Sequence, residues 1–259
     1  ASNYAPEGRS DAGQAKVYRY ADGSWNTTAQ DVFVGEAAGD LFGNSVALSS
    51  DGNTLAVGAN AHDTNGNNAG RAYVYRYANG AWIRVITEDG DAADDLFGYS
   101  VALSSDGNIL AVGAYFHDAN GNADAGQAKV YRFSEPLYEQ LGADLYGEAA
   151  DDWFGYRVAI SADGNTLAVG AYGHDTNGSD SGRAYIFRYA DGSWDTVDTS
   201  IKLNGEVAQD YFGYSVALSS DGNILAVGAK MYDPVDPTDP NATITNGGRA
   251  YVYQYAGGA

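Results

Sequence analysis

Apolar and polar positions along this chain alternate in short runs, and the runs themselves recur. The unit reads D-x-F-G-x-x-V-A-[LI]-S-x-D-G-N-x-L-A-V-G-A, then a polar loop, then G-[RQ]-A-x-[VI]-[YF]. Its Phe-Gly pairs stand at Phe42-Gly43, Phe97-Gly98, Phe154-Gly155 and Phe212-Gly213, 55 to 58 residues apart. Within a unit the apolar period is two, which is that of a strand with opposite faces. No window carries the i, i+3, i+4, i+7 stripe of a helix. In the second full unit, Ser100–Ser104 predicts a first strand and Ser105-Asp106-Gly107-Asn108 a tight hairpin turn. Ile109–Ala114 predicts a second strand, Gln127–Phe133 a third and Leu137–Leu141 a weaker fourth.

A fixed period of this size with four strands per unit predicts an all-β fold, a β-propeller of four-stranded antiparallel blades. The units start near residues 40, 95, 152 and 210, with a partial unit over 1–39, so residues 1–259 are expected to form a single domain. The third strands are expected at Arg71–Tyr77, Gln127–Phe133, Arg183–Tyr189 and Arg249–Tyr255. In the first of these, Tyr73, Tyr75 and Tyr77 share one face, which reads as packing between blades. Fourth strands are expected to open at Trp25, Trp82 and Trp194.

The strand count is two, then three sets of four, then three, seventeen in all. Four blades need sixteen strands and five need twenty, so about four to five blades are expected, with the N-terminal strands completing or exchanging a blade. The chain is then a piece of a longer propeller, or its spare strand sits beside the closing one, or its ends complement a neighbouring molecule by strand addition.

At D-x-F-G…L-A-V-G-A…A-x-V-Y the chain resembles the FG-GAP repeats of integrin α-subunit propellers and their bacterial and algal relatives. The resemblance runs over essentially the whole chain. It implies a propeller whose Phe-Gly opens the innermost strand, and it implies extracellular adhesion or ligand binding without catalysis. Many members carry a calcium loop between the first two strands. Here that segment is only Ser49 to Thr54 and its equivalents, too short for an ion that takes six to eight oxygens.

Charge and composition narrow the partners. A formal net charge of −20 repels a nucleic-acid backbone, and no apolar run is long enough for membrane insertion. There is no Cys, which removes thiol chemistry and thiolate metal sites. No Met opens the chain, so Ala1 reads as a processed or partial start. Sequons at Asn26, Asn177 and Asn241 are candidate glycosylation sites and lean toward an extracellular or cell-surface glycoprotein.

The loop between second and third strands holds the densest polar chemistry. It reads His62-Asp63-Thr64-Asn65-Gly66-Asn67, His117-Asp118-Ala119-Asn120-Gly121-Asn122 and His174-Asp175-Thr176-Asn177-Gly178-Ser179, and all three histidines lie there. Asp63, Asn65, Asn67, Asp118, Asn120, Asn122, Asp175 and Asn177 are candidate calcium ligands. The competing reading is an Asx-type turn in which these side chains bond their own backbone. The acidic connections Gly35–Asp40, Gly90–Asp95, Gly147–Asp152 and Gly205–Asp210 fall on the same end of the blades. Asp40, Asp95, Asp152 and Asp210 read as turn-fixing residues. No catalytic motif stands out, so the chain is expected not to be an enzyme. The expected role is an extracellular propeller for adhesion or fibre-like self-assembly; the alternative is carbohydrate- or cation-dependent ligand binding on the acidic loop face, with a glycan or protein as ligand.

Overall fold

The computed structural model describes residues 4–5, 8–26, 31–135, 137–233, 235–236, 239–243 and 245–256. Among them the fold is all-β, and no helix is long and apolar enough to cross a membrane. The strands fall into five successive blades. Blade I pairs β1 (Gln14–Val17) with β4 (Asp31–Val34), with a small hairpin of β2 (Tyr20–Ala21) and β3 (Ser24–Trp25) between them. Blade II runs β5 (Ser45–Leu48), β6 (Thr54–Ala59), β7 (Arg71–Ala78), β8 (Ala81–Asp89). Blade III holds β9 (Ser100–Leu103), β10 (Ile109–Ala114) and β11 (Gln127–Ser134), with β12 (Leu137–Gln140) and β13 (Leu145–Tyr146) both paired to β11. Blade IV repeats this with β14 (Arg157–Ile160), β15 (Thr166–Ala171), β16 (Arg183–Ala190), β17 (Ser193–Trp194) and β18 (Ile201–Asn204). Blade V orders β19 (Phe212–Leu218), β20 (Ile224–Ala229) and β23 (Arg249–Gln254). A side hairpin of β21 (Val235–Asp236) and β22 (Asp239–Thr243) interrupts it, formed by an insertion after Asp233.

Two expectations change in detail. The fourth strand of blade I runs at Asp31–Val34 and does not open at Trp25, which sits in the small hairpin. In blades III and IV the outermost strand is split in two, by a bend at Gly142 (φ 82°) and by a turn in which Thr199 N and Ser200 N donate to Thr196 O.

The repeat motif explains how blades stack. Phe42, Phe97, Phe154 and Phe212 are each at most 1% exposed. Their backbones bridge in parallel to Gly13, Gly70, Gly126 and Gly182 of the blade before, so each Phe-Gly anchors one blade on the last. The Gly of L-A-V-G-A is the other half of that contact. A Cβ added to Gly113 or Gly170 would lie 2.0 Å from the carbonyl oxygen of Gly155 or Gly213 in the next blade. Glycine is there because two backbones touch. At the opposite, short-turn end, Ser50 N donates to Ser105 O, Ser105 N to Ala162 O and Ala162 N to Ser220 O, stitching blades II to V.

Burial shows which faces are covered. All six residues of β6, β10 and β15 are buried, whereas in β20 buried residues alternate with one exposed and two half-buried ones. Val101 and Val158 of β9 and β14 are 8% and 7% exposed, but Val46 of β5 is 57% and Val252 of β23 is 71% exposed. The inner blades have neighbours on both faces; blade I packs Ala15, Val17 and Phe33 on blade II but leaves Val46 and Leu48 of β5 open, and one face of blade V stands open.

Candidate functional site

The long loops between second and third strands and the acidic connections meet at one end of every blade. Six of the eight candidate calcium ligands bond through their side chains there, to their own loop or to the next connection. Asp63 Oδ1 accepts from Asn68 N (2.9 Å), Asp118 Oδ1 from Asp124 N (2.9 Å) and Asp175 Oδ1 from Asp180 N (2.8 Å). Asn65 Nδ2 donates to Gly90 O (2.8 Å), Asn122 Nδ2 to Glu148 O (3.4 Å) and Asn177 Nδ2 to Gly205 O (2.6 Å), tying each loop to the next connection. The Asn67 carbonyl accepts from Asp94 N, and Asn120 adopts the left-handed region at φ 54°. The sequon nitrogen of Asn177 is therefore already bonded. Asn26 lies just past β3 and Asn241 on β22; Thr27, Thr28 and the Asn241 side chain lie outside the described residues.

The acidic connections turn inward as well. Glu36 accepts from Arg71 (2.9 Å) and Arg84 (2.5 Å) and lies 3.5 Å from His62 Nε2. Glu148 accepts from Arg183, from Lys202 (2.5 Å) and from Tyr185 Oη (2.8 Å), with His174 Nε2 at 3.5 Å. Burial would raise both carboxyls, but these cations outweigh it and hold them below their ordinary range. Burial lowers His174, favouring its neutral form. The buried Asp40, Asp95, Asp152 and Asp210 accept from the backbone N–H groups of Ala37, Ala92, Ala149 and Val207.

Blade III breaks this pattern. Asp91 stands for Glu, Ala119 for Thr, Gln127 for Arg and Lys129 for Tyr. Lys129 Nζ lies 2.7 and 2.8 Å from the two Asp91 oxygens, and 5.9 Å above the Phe97 ring where Tyr73 and Tyr185 meet Phe42 and Phe154 edge-on. Without a Thr hydroxyl to hold it, His117 turns its Nδ1 toward Asp95 Oδ2 at 3.1 Å and stacks on Tyr146.

A second departure lies nearer the axis, where the first strands of blades II to V adjoin. The residue after Phe-Gly is Asn44, Tyr99, Tyr156 or Tyr214; the residue after L-A-V-G-A is Asn60, Tyr115, Tyr172 or Lys230. Both positions open on the loop-bearing end. Tyr99–Tyr115 and Tyr156–Tyr172 meet at 4.5 Å between centroids, Tyr99–Tyr156 and Tyr156–Tyr214 at 5.1 Å, and Tyr172–Tyr211 at 5.4 Å. Tyr156 is buried, and the other five are half-buried. Arg157 lies over Tyr156 at 4.6 Å, and Lys230 over Tyr214 at 4.4 Å. Burial pushes the Tyr115 phenol up to about 12, whereas hydrogen bonds from Tyr156 and Lys230 lower Tyr214. Beside the cluster a groove of about 350 Å³ is lined by Asn44, Ser45, Tyr99, Ser100, Arg157 and neighbouring valines. Such a site offers ring faces, hydroxyls and one guanidinium to a polar ligand. Sequence reading missed it because the consensus discards variable positions. The visible signal was Tyr recurring at two of them.

The model of the FG-GAP repeat family matches residues 28–75, 83–131, 147–187 and 201–253. Among solved structures, that of Pseudomonas aeruginosa periplasmic gluconolactonase, PpgL, matches with a TM-score of 0.54 at 16% sequence identity. The match covers 93% of this chain but only 64% of that one, so the chain spans less than two thirds of the enzyme's length. No curated protein matches the chain. At this identity the likeness shows the propeller fold alone. It also corrects one expectation: the absence of a catalytic motif pointed away from an enzyme, yet a structural neighbour is one, so the architecture gives no ground for setting catalysis aside.

Proposed function

The chain belongs to the FG-GAP repeat family, and on that premise we propose that it is an extracellular adhesion module that binds a glycan through its loop-bearing face. The tyrosine cluster around Tyr99, Tyr115, Tyr156, Tyr172 and Tyr214 carries this reading. Core aromatics in this fold are present in every unit and buried; these stand at two positions where blade II has Asn44 and Asn60, converge from three blades and, Tyr156 apart, stay partly open to solvent. A sugar ring presents apolar C–H faces and a rim of hydroxyls, which suits half-buried tyrosines flanked by Asn44, Ser45 and Arg157. The acidic connections are a weaker candidate, since Glu36 and Glu148 already hold cations of the chain itself. The test is a glycan array with the folded protein, followed by titration calorimetry on the best oligosaccharide. Binding of a defined sugar class, competed by that soluble sugar, is expected. An array with no specific signal overturns the reading.

One observation favours a second reading, self-association. A trough of about 620 Å³ beside β1 and β5 is lined by Ala15, Val17, Val46, Leu48 and Leu55, an apolar surface that strand addition would cover. Sedimentation velocity and electron microscopy should then show oligomers or fibres that a Val46→Lys/Leu48→Lys variant loses. A monomer at all concentrations sinks this reading and leaves glycan binding untouched.

A further inference from the structure

The altered junction of blade III has the composition of a metal site. Asp91, Asp95 and His117 each bring one ligand atom to within 4.8 Å of the others, a grouping of His and carboxylates without parallel among the described residues. Asp95 is buried and His117 half-buried. Two further atoms lack what the rest of the fold provides. His117 Nδ1 is buried and, though it faces Asp95 Oδ2 at 3.1 Å, has no hydrogen-bond partner. The side chain of Gln127 is 1% exposed, and its Oε1 is an orphaned acceptor while its Nε2 donates to Asp91 Oδ2 (3.1 Å). A buried imidazole nitrogen without a hydrogen-bond partner and a buried carbonyl oxygen without a donor, beside two carboxylates, are groups that a cation would satisfy.

The equivalent positions in blades II and IV explain the difference. In blades II and IV, Thr64 and Thr176 occupy the histidine Nδ1, and Arg71 and Arg183 occupy the acidic residue. Ala119 and Gln127 remove both occupants at once. We infer that Asp91, Asp95 and His117 form a site for a divalent transition metal, with zinc the best match. One imidazole with two carboxylates suits zinc better than calcium, which takes oxygen ligands in larger number. Tetrahedral zinc with bonds of about 2.1 Å wants its ligands about 3.4 Å apart, so the side chains close in by roughly an ångström. Lys129 is the built-in competitor. Its ammonium now neutralises Asp91 and lies 3.9 Å from Asp144, which would keep it when metal takes Asp91.

Zinc chloride titrated into the full chain at neutral pH, followed by calorimetry, is expected to bind at about one ion per chain. His117→Ala and Asp91→Asn should each weaken binding at least about tenfold. Lys129→Gln should strengthen it several-fold, and His62→Ala and His174→Ala should leave it unchanged. Histidine ring resonances of the wild-type protein keep the test open if a variant fails to fold: those of His117 alone should shift with zinc. Absence of stoichiometric binding overturns the proposal. So does binding that survives both His117→Ala and Asp91→Asn, or binding that leaves the His117 ring unmoved.

Discussion

At the junction of blade IV, Glu148 draws in Arg183, Lys202 and Tyr185, and His174 is held by Thr176. At the same place in blade III, Asp91 meets Lys129 and Gln127, and His117 turns away to face Asp95. The backbones differ little: β10–β11 and β15–β16 pair in the same register, Gly113 opposite Ala128 and Gly170 opposite Ala184. The two blades therefore share the register and the backbone contacts that build a blade and diverge in the side chains at this junction. Repetition fixes the frame, and chemistry enters where the repeat is broken. Blade III with its polar cluster is one such place, and the tyrosine axis is the other.

The shared half of that comparison breaks most violently at the backbone contacts. Gly113→Ala and Gly170→Ala should each cost about 4 kcal/mol or more, measured by urea unfolding, because the new methyl overlaps a carbonyl of the next blade. A cost under about 1 kcal/mol in either blade would refute the common stacking rule. Next come the turn carboxylates. Asp152, buried, accepts from Glu148 N and Ala149 N (2.8 Å each), and Asp152→Ala should cost about 3 kcal/mol by stranding both donors. Asp40 accepts from Ala37 N (2.7 Å), and Asp40→Ala should cost about 2 kcal/mol on the same assay.

A smaller effect sharpens the divergent half. Arg183→Gln copies blade III into blade IV and leaves Glu148 to Lys202 and Tyr185. It should cost about 1 to 2 kcal/mol, since the guanidinium is largely buried but one cation remains. An unchanged melt would mean that the pair contributes nothing. The smallest effect is on pH. The folded Glu148 carboxyl lies below its ordinary 4.5, so its stabilisation is complete above that value and fades as pH falls through the lower folded value. The melting temperature gap between wild type and Glu148→Gln should therefore shrink under acid; a gap that widens reverses the assignment.

Much of the frame is legible in the residues. Ile109–Ala114 is a strand with the bounds its apolar run predicts, and Gln127–Phe133 extends by only Ser134, because strands covered on both faces carry unbroken small and branched residues. Outer strands were harder. Trp25 and Trp194 sit in short hairpins while separate segments, Asp31–Val34 and Ile201–Asn204, complete the ladders, and half-exposed strands leave a faint pattern. The polar loop residues were visible as a cluster, but whether Asp63 bonds an ion or Asn68 N depends on geometry that a sequence does not carry. The departures of blade III were hidden by distance along the chain. Asp91, His117 and Lys129 lie 26 and 12 residues apart and mean nothing until folding brings them together.

That function resides where the repeat is broken is tested most directly by mending the break. A Tyr115→Asn/Tyr172→Asn variant copies the Asn60 of blade II and leaves the stacking contacts of Phe97 and Phe154 in place. Calorimetry of wild type and variant against the best oligosaccharide is the measurement. The account predicts that the variant keeps a cooperative melt and loses glycan affinity at least about tenfold. Full affinity in a folded variant would contradict it.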